Sequence, residues 1–323
     1  MNNVQGHRNE PLLGVLTVTY NAAKFLKPFL DCCLAQSLKN FHLLVIDNAS
    51  SDDTTALLSQ FGDPRLQTVV NANNIGYAAA CNQGVRLLME RGIQEILFIN
   101  NDTEFGPELF ASLLNHRRQH HADAVTPRIT YFSEPDRNWY AGGRFVFWKG
   151  FQGEHIGEGQ RHVPGDDTPR WTEVAPGCCI LFNVSVFERI GLFDERYFVY
   201  FEDTDFFVRM KRTGLRLLYV PGLTLAHKVS LSTGGTQSPF SIRYYQRNQI
   251  YLLRKHFGVG MLCMQLLLIS AKALLRLALR KDALKQTRQR LSAMTEGLRM
   301  PLGSNPQALP TPAKAGKAQQ STD

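Results

Sequence analysis

The chain has 323 residues, of which 44% are hydrophobic and 20% are charged. This length suits one large domain or two modest ones, and the composition excludes a wholly disordered or collagen-like chain. The net charge of +8 is concentrated in one stretch, because residues 254–299 hold ten Lys or Arg against two acidic residues. A basic character confined to one stretch argues against a general nucleic-acid-binding protein.

The cysteines and the N-terminal residues bear on the cellular compartment. The six cysteines form no CxxC pair and no zinc-finger spacing with histidine, and the first eleven residues contain no apolar signal segment. Adjacent cysteines in apolar runs behave as small hydrophobic residues. We therefore expect a reduced, cytoplasmic protein.

Short apolar runs alternate with helical patterns in the first third of the chain. Strands are predicted at residues 12–19, 41–46, 66–70 and 95–99, and helices at 24–36, 54–61 and 77–91. This alternation predicts an α/β fold with a parallel sheet and right-handed crossovers. Polar clusters follow the strands, at the edge where open α/β sheets bind ligands. No glycine-rich dinucleotide or phosphate loop follows the first strand, so neither of those folds is supported.

The middle of the chain has a weaker pattern. Residues 133–175 are rich in Gly, Pro, Trp and charge, which predicts loops and an irregular sheet over the site. Their aromatic residues Trp139, Tyr140 and Trp148 either pack there or stack on a sugar or base. Beyond them we expect an apolar run at 178–182, helices at 184–190 and 201–212, and a strand at 216–220.

The C-terminal part contains a different kind of helix. The apolar run at 259–271 is too short to span about 30 Å of hydrocarbon. On a helical wheel, one narrow face carries the polar residues Gln265, Lys272, Arg276 and Arg280. We expect residues 259–280 to lie on an anionic membrane surface without crossing it, with a buried helix of the soluble core as the alternative. Residues 301–323 are predicted to be disordered.

Acidic residues near the strand ends are candidates for chemistry. They are Asp47 with Asp52 and Asp53, then Asp102, then Glu202, Asp203 and Asp205. Each carboxylate is also suited to the first turn of a helix, where the helix dipole favours negative charge. Asp102 directly follows a buried strand and is placed to hold Mg²⁺ or Mn²⁺ against a diphosphate. His227 is either a second ligand or a structural histidine.

Seven motifs in order resemble the inverting glycosyltransferases of family two, which have the GT-A fold, and most closely the rhamnosyltransferase-like branch. The resemblance covers residues 12–257, including the stretch Tyr244 to Asn248 near its end. The motifs are Val18-Thr19-Tyr20-Asn21, Val45 to Asp52, Asn74 to Gly84, Asn100-Asn101-Asp102-Thr103, Gly191 to Glu195, Tyr200 to Asp205, and His227 with Ser230.

The resemblance implies a donor site. Asp47 would accept a hydrogen bond from the nucleobase, with Tyr20 and Asn21 in the same pocket. Three residues would shape the nucleotide site: Asn74, Gly76 and Asn82. Asn101 and Asp102 stand in the metal motif, in which Asn100 replaces the first aspartate, and Asp102 with His227 would hold the metal.

The resemblance also implies the catalytic and acceptor residues. Asp203 would be the general base, and the neighbouring carboxylates Glu202 and Asp205 would raise its affinity for a proton. Gly177, Cys178 and Glu202 would lie on the acceptor side.

The resemblance predicts transfer of L-rhamnose from dTDP-rhamnose, or of another sugar from a UDP- or GDP-linked donor, to a glycan or lipid-linked acceptor. The expected organisation is a tail (1–10), a GT-A domain (11–257), a basic amphipathic helical region (258–300) and a tail (301–323). We expect a peripheral enzyme on the inner face of the cytoplasmic membrane.

Three alternatives compete with this function. A nucleotidyltransferase would need a glycine-rich basic signature after the first strand. A non-catalytic nucleotide-sugar- or membrane-binding scaffold would be expected to lack Asp102, Asp203 or His227, which are present. A nucleic-acid-binding protein would use a less apolar helix than residues 259–280.

Overall fold

The structure is a computed structural model that describes residues 13–228, 238–280 and 282–303. Within these residues a ten-stranded sheet forms the centre of the molecule. Its strands are Leu13–Thr19 (β1), Phe41–Asp47 (β2), Leu66–Val70 (β3), Glu95–Ile99 (β4), Thr103–Phe105 (β5), Ala124–Tyr131 (β6), Asn138–Tyr140 (β7), Arg170–Thr172 (β10), Cys179–Asn183 (β11) and Leu217–His227 (β12). A separate hairpin consists of Gly143–Val146 (β8) and Gln152–His155 (β9).

Helices flank the sheet and continue beyond it. They are Ala23–Leu34 (α1), Thr54–Ser59 (α2), Tyr77–Glu90 (α3), Leu109–Gln119 (α4), Ser185–Ile190 (α5), Glu202–Arg212 (α6), Pro239–His256 (α7), Val259–Ala278 (α8) and Leu284–Arg299 (α9). Short 3₁₀ turns lie at Phe147–Lys149 and Glu195–Tyr197.

The strand order of the main sheet is β10-β12-β6-β11-β4-β1-β2-β3. Strands β4, β1, β2 and β3 are parallel neighbours, as the alternating pattern predicted, and β11 runs antiparallel between β4 and β6. Buried apolar residues of β1, β2 and β4 pack with those of α1 and α3 in one part of the core, and β6, β11 and β12 contribute to the same cluster. Because parallel strands end at the same edge, the segments that follow β1 and β4 meet in space.

Strand β12 differs from its prediction. The sequence predicted a strand that ended before Pro221, but β12 continues to His227. Its pairing with β6 shifts register between Val220 and Thr224, so an irregularity accommodates the proline, which lacks an N–H for the ladder. As a result His227 ends a strand and pairs with Tyr131 of β6.

The sequence did not predict α4, β6, α7 and α9 as separate elements. The irregular sheet predicted over residues 133–175 is confirmed by the short strands β7 to β10. The predicted tail at residues 1–10, Ser230, Lys281 and residues 304–323 of the second tail lie outside the described residues.

Helix α8 corrects two expectations. It has 20 residues with a mean hydropathy of 1.7, so its length and composition would suffice for a membrane crossing. The length argument from the sequence was wrong because it stopped at Ala271, whereas the helix continues to Ala278. The alternative of a buried core helix is also wrong, since only Gln265 and Ala273 of this helix are buried.

Candidate active site

A pocket of about 850 Å³ opens where β1 and β4 end, and the start of α6, the end of β12 and the hairpin strand β9 complete its wall. The sequence-predicted residues that line it are Tyr20, Asn21, Asn74, Asn101, Asp102, Gly177, Cys178, Glu202, Asp203 and His227. Three other predicted residues, Asp47, Gly76 and Asn82, lie behind this wall.

Asp47 is fully buried at the end of β2. Its carboxylate accepts hydrogen bonds from the hydroxyl of Thr19 at 2.9 Å and from the amide and hydroxyl of Ser50. The loop after β2 is then joined to the pocket, because Asn21 accepts from the amide of Ser51 at 2.8 Å. In this geometry Asp47 joins the end of β1 to the loop after β2, and that loop in turn holds Asn21.

Asn82 also supports the site from behind. Its side-chain amide donates to the carbonyl of Phe193 at 2.9 Å and accepts from the amide of the same residue at 2.9 Å. It donates as well to the carboxylate of Glu195 at 2.9 Å. These bonds attach helix α3 to the segment that precedes α6.

Gly76 has a positive φ of 87° at the start of α3. A Cβ at this position would lie 2.5 Å from the ring of Phe198. The carbonyl of Phe198 accepts from the first amide of the helix, that of Tyr77, at 2.6 Å. The close approach at Gly76 therefore serves this segment, which caps the N-terminus of α3.

Asp102 and His227 form a buried pair in the pocket. The Nε2 atom of His227 lies 3.3 Å from Oδ1 of Asp102, but the two are not aligned as a hydrogen bond, and Oδ1 and the histidine Nδ1 are buried without a hydrogen-bond partner. The side-chain amide of Asn101, which also lines the pocket, donates to the carbonyl of Val18 at 2.8 Å. No cluster of three metal-binding side chains occurs in the described part of the chain.

A carboxylate oxygen and an imidazole nitrogen that lack hydrogen-bond partners can both serve as ligands of a divalent cation. The other coordination positions of such a cation would be filled by phosphates and water. Mg²⁺ is commonly held in this way by one or two protein carboxylates together with substrate phosphates. The donor set of Asp102 and His227 is therefore sufficient for such an ion.

Asp203 lies in the first turn of α6 and faces the pocket. Its carboxylate accepts from the amide of Thr204 at 2.6 Å and from the amide of Gly177 at 3.2 Å. Burial raises the pKa of Asp203, while these hydrogen bonds favour the charged form. The nearby imidazole of His155, which also lines the pocket, acts in the same direction as the hydrogen bonds.

Glu202 lies next to Asp203 in a different environment. Its Oε2 is buried without a hydrogen-bond partner. Burial first, and then the charge of Asp203, raise the pKa of Glu202 to about 8. Asp203 accepts hydrogen bonds from two backbone amides, whereas Oε2 of Glu202 has no partner. The proton shared by this pair is therefore favoured on Glu202 and the negative charge on Asp203.

Asp205 does not contribute to this pair as expected. It is fully buried behind the pocket and contacts Arg209 at 2.9 Å, Lys255 at 2.7 Å and His256 at 2.7 Å. Burial alone would raise the pKa of Asp205, but the hydrogen bond from His256 and the charge of Arg209 outweigh it and hold the pKa well below its usual range. The expectation that Asp205 strengthens the base was wrong in this respect, because its charge is neutralised by its own partners.

The segment before α6 is held by residues to which sequence reasoning gave no role. It contains non-glycine residues with positive φ, which are Phe198, Tyr200 and Phe201. The amide of Asn248 in α7 donates to three of its carbonyls at 2.8 Å each, those of Tyr197, Val199 and Tyr200. Such strained backbone persists only where its surroundings hold it, and here α7 supplies those contacts. The available signal was the Tyr244–Asn248 stretch, which resembles the family without indicating what it binds.

Comparisons with known proteins identify the family of the chain. The model of the family "Glycosyl transferase family 2" matches residues 14–191. N-acetylglucosaminyl-diphospho-decaprenol L-rhamnosyltransferase from Mycobacterium tuberculosis is 26% identical over 310 residues, which is 88% of this chain and 98% of that protein. The dTDP-rhamnosyl transferase RfbF from Shigella flexneri is 24% identical, over 81% of this chain and 87% of its own length.

A solved structure supports the fold. GalNAc-T7 with UDP, GalNAc and Mn²⁺ superposes with a TM-score of 0.61 at 14% identity. The match covers 77% of this chain and 48% of that one, so the present chain spans about half of its length. At this identity the likeness shows the fold alone, and it is the GT-A fold that the motifs predicted.

Proposed function

Because the chain belongs to glycosyl transferase family 2, we propose that it transfers L-rhamnose from dTDP-rhamnose, with inversion, to a hydroxyl group of a lipid-linked glycan precursor. The observation that carries the reaction type is the pocket itself, which is lined by Asp203 and by the pair Asp102–His227. The two rhamnosyltransferases among its relatives support the choice of sugar, and one of them is named for a lipid diphosphate acceptor.

In the proposed reaction Asp203 takes the proton from the acceptor hydroxyl. The hydroxyl oxygen forms a bond to the anomeric carbon, and the bond between that carbon and the diphosphate oxygen breaks on the opposite face. The released nucleoside diphosphate keeps the electron pair, and the proton leaves Asp203 for solvent. A divalent cation held by Asp102 and His227 would neutralise the charge of the diphosphate.

Glu202 has a separate part in this proposal. In its protonated form it adds no second negative charge next to Asp203. A neutral carboxyl also donates a hydrogen bond, which a carboxylate cannot do. We assign this hydrogen bond to a hydroxyl of the acceptor, because Glu202 lines the pocket next to Asp203.

The test is a panel of nucleotide sugars with a polyprenyl diphosphate-linked N-acetylglucosamine acceptor, in the presence of Mg²⁺ or Mn²⁺. We expect release of dTDP together with a rhamnosylated lipid of inverted anomeric configuration, identified by mass spectrometry and NMR. The Asp203→Asn variant should bind the donor normally and turn over at least about 10²-fold more slowly, as loss of a general base does. A donor that binds without any turnover would favour the non-catalytic scaffold, and preference for another sugar would overturn the rhamnose assignment.

We further assign residues 11–257 to catalysis and residues 258–300 to attachment on the inner face of the cytoplasmic membrane. The inner face of α8 packs on α7 and α9 through apolar residues, which include Leu262, Leu266 and Ile269. The outer face is apolar as well and exposed, with Leu267 at 72%. Exposed cations on α8 and α9 include Lys272, Lys285 and Arg288. Each cation near an anionic bilayer contributes about 1 kcal/mol.

The contacts between α7 and α9 argue against a crossing by α8. A spanning α8 would place the helices before and after it on opposite sides of the membrane. However, Arg243 of α7 forms a two-pronged ion pair with Glu296 of α9 at 2.9 Å. Arg254 of α7 also donates to the carbonyl of Gly297 at 2.9 Å. These contacts require α7 and α9 to be on the same side, which supports a helix that lies along the surface.

Flotation with anionic liposomes tests the attachment. The protein should float at low salt and be partly released at about 1 M salt, because the cations are then screened. Leu267→Glu should reduce flotation, whereas Val163→Glu, a change at a loop residue of similar exposure (67%), should not. Equal flotation of both variants and the unmodified protein would refute the role of α8.

A further inference from the structure

The turn of the β8–β9 hairpin exposes two large aromatic side chains. Phe147 is 53% exposed and its neighbour Trp148 is 69% exposed. Trp171, by comparison, is 46% exposed and lies under the guanidinium of Arg216 at 4.2 Å. We call the 3₁₀ turn Phe147–Lys149 the hairpin tip. Adjacent aromatic residues in this position indicate contact with a partner rather than ordinary surface.

The hairpin tip is attached to the start of α8. The side-chain amide of Gln265 in α8 donates to the carbonyl of Trp148 at 3.0 Å. The ring of Phe151 stacks on that of Phe257 at 3.9 Å, directly before α8. Although Gln265 belongs to the predicted polar face of the helix, it is buried beneath the tip. The hairpin tip is therefore held against the helix that carries the exposed apolar face.

The other strand of the hairpin borders the active site. Gln152, Gly153 and His155 of β9 line the pocket that contains Asp203. The charge of Asp203 acts on His155, so β9 lies close to the proposed base. A ligand on the hairpin tip would thus be one short strand away from the place where the acceptor hydroxyl must bind.

We propose that Phe147 and Trp148 insert into the interfacial layer of an anionic phospholipid bilayer, and that the wall formed by β9 is the side on which a lipid-linked acceptor enters the pocket. The proposal rests on the proposed membrane attachment and names a second contact for it. Tryptophan is enriched at the membrane interface because its ring is apolar and its N–H remains polar. The charges nearby suit an anionic surface, since Arg144 and Lys149 share the single carboxylate of Glu154.

Quenching of tryptophan fluorescence by brominated lipids tests the inserted residue. Vesicles of phosphatidylglycerol and phosphatidylcholine with brominated acyl chains should quench the full-length protein. The quenching should largely disappear in Trp148→Phe and persist in Trp171→Phe. Quenching that survives in Trp148→Phe would overturn the proposal even where the protein still floats.

Binding strength provides the second measurement. Trp148→Ala should weaken vesicle affinity by about tenfold or more, as expected when a large aromatic side chain no longer leaves water. Trp171→Ala should change it little, and release of dTDP without vesicles should be unaffected by either change. Loss of flotation in Leu267→Glu with unaltered affinity in Trp148→Ala would leave the attachment intact and refute the role of the tip. Self-association of the unmodified protein that Trp148→Ala abolishes, seen by light scattering without lipid, would assign the tip to a second copy instead.

Discussion

Substitution of Gly76 by alanine tests whether the segment before α6 controls the site. The φ of 87° and ψ of 160° at this residue lie in a region that is essentially restricted to glycine, with a cost of about 1–3 kcal/mol for another residue. The new Cβ would also lie 2.5 Å from the ring and 2.9 Å from the carbonyl oxygen of Phe198. Such overpacking costs a further 1–3 kcal/mol or so. We expect a total loss of about 2–6 kcal/mol in the free energy of unfolding, measured by denaturant titration.

The effect on catalysis follows from the position of Phe198. This residue precedes Asp203 by one short segment, and a displacement of about 1 Å at a reacting group can cost 10²-fold in rate. Gly76→Ala should therefore lower kcat for rhamnosyl transfer by about that factor.

Gly92→Ala is the matched control. Gly92 also has a positive φ, of 77°, but an added Cβ would meet nothing within 4 Å. This variant should lose about 1–2 kcal/mol through backbone strain alone and keep its kcat. Equal kcat in the two alanine variants would refute the reasoning. Loss of donor affinity alone in Gly76→Ala would instead favour the sequence-based interpretation, in which the glycine lies against the nucleotide.

Two further predictions concern protonation and the metal. The pKa of Glu202 is raised from 4.5 to about 8, so the folded state binds more protons than the unfolded state between these values and stability falls as the pH rises. Glu202→Gln should abolish most of that decline, measured by denaturant unfolding at about pH 5 and about pH 8.5; an unchanged decline would place the titrating group elsewhere. Asp102→Ala should abolish the metal-dependent binding of dTDP, and His227→Ala should weaken it less; calorimetry measures both affinities. Full activity of the unmodified protein in EDTA would contradict both metal-ligand assignments.

The sequence identified the α/β sheet because β1 to β4 have strong, short apolar patterns separated by helical ones. It did not reveal the second half of β12, since Pro221 normally ends a strand and only the irregular pairing with β6 accommodates it. Element patterns report local preference, whereas this strand depends on a partner far away in the chain.

The same limit applies to the candidate site. Motif positions located the pocket edge but did not separate residues that face the pocket, such as Asp102, from those behind it. Asp47 and Asn82 are turned away by hydrogen bonds to residues in other elements. The support that Asn248 gives to the segment 197–200 connects residues about fifty positions apart, so no local pattern could show it.

Removal of the C-terminal helices should affect more than membrane attachment. A chain that ends at Gly258 loses α9, which packs so closely on α7 that a Cβ at Gly297 would collide with the backbone of Arg247. Arg247 donates to the carbonyls of Arg196 and Tyr197 at 2.9 Å, and these belong to the segment before Asp203.

The shortened chain should therefore transfer rhamnose more slowly even to a water-soluble acceptor. Leu267→Glu should slow transfer only to an acceptor in vesicles, because Leu267 lies on the exposed face of α8. Initial rates with both acceptors separate the two effects. Full activity of the shortened chain on the soluble acceptor would show that α7 holds the catalytic segment without α9.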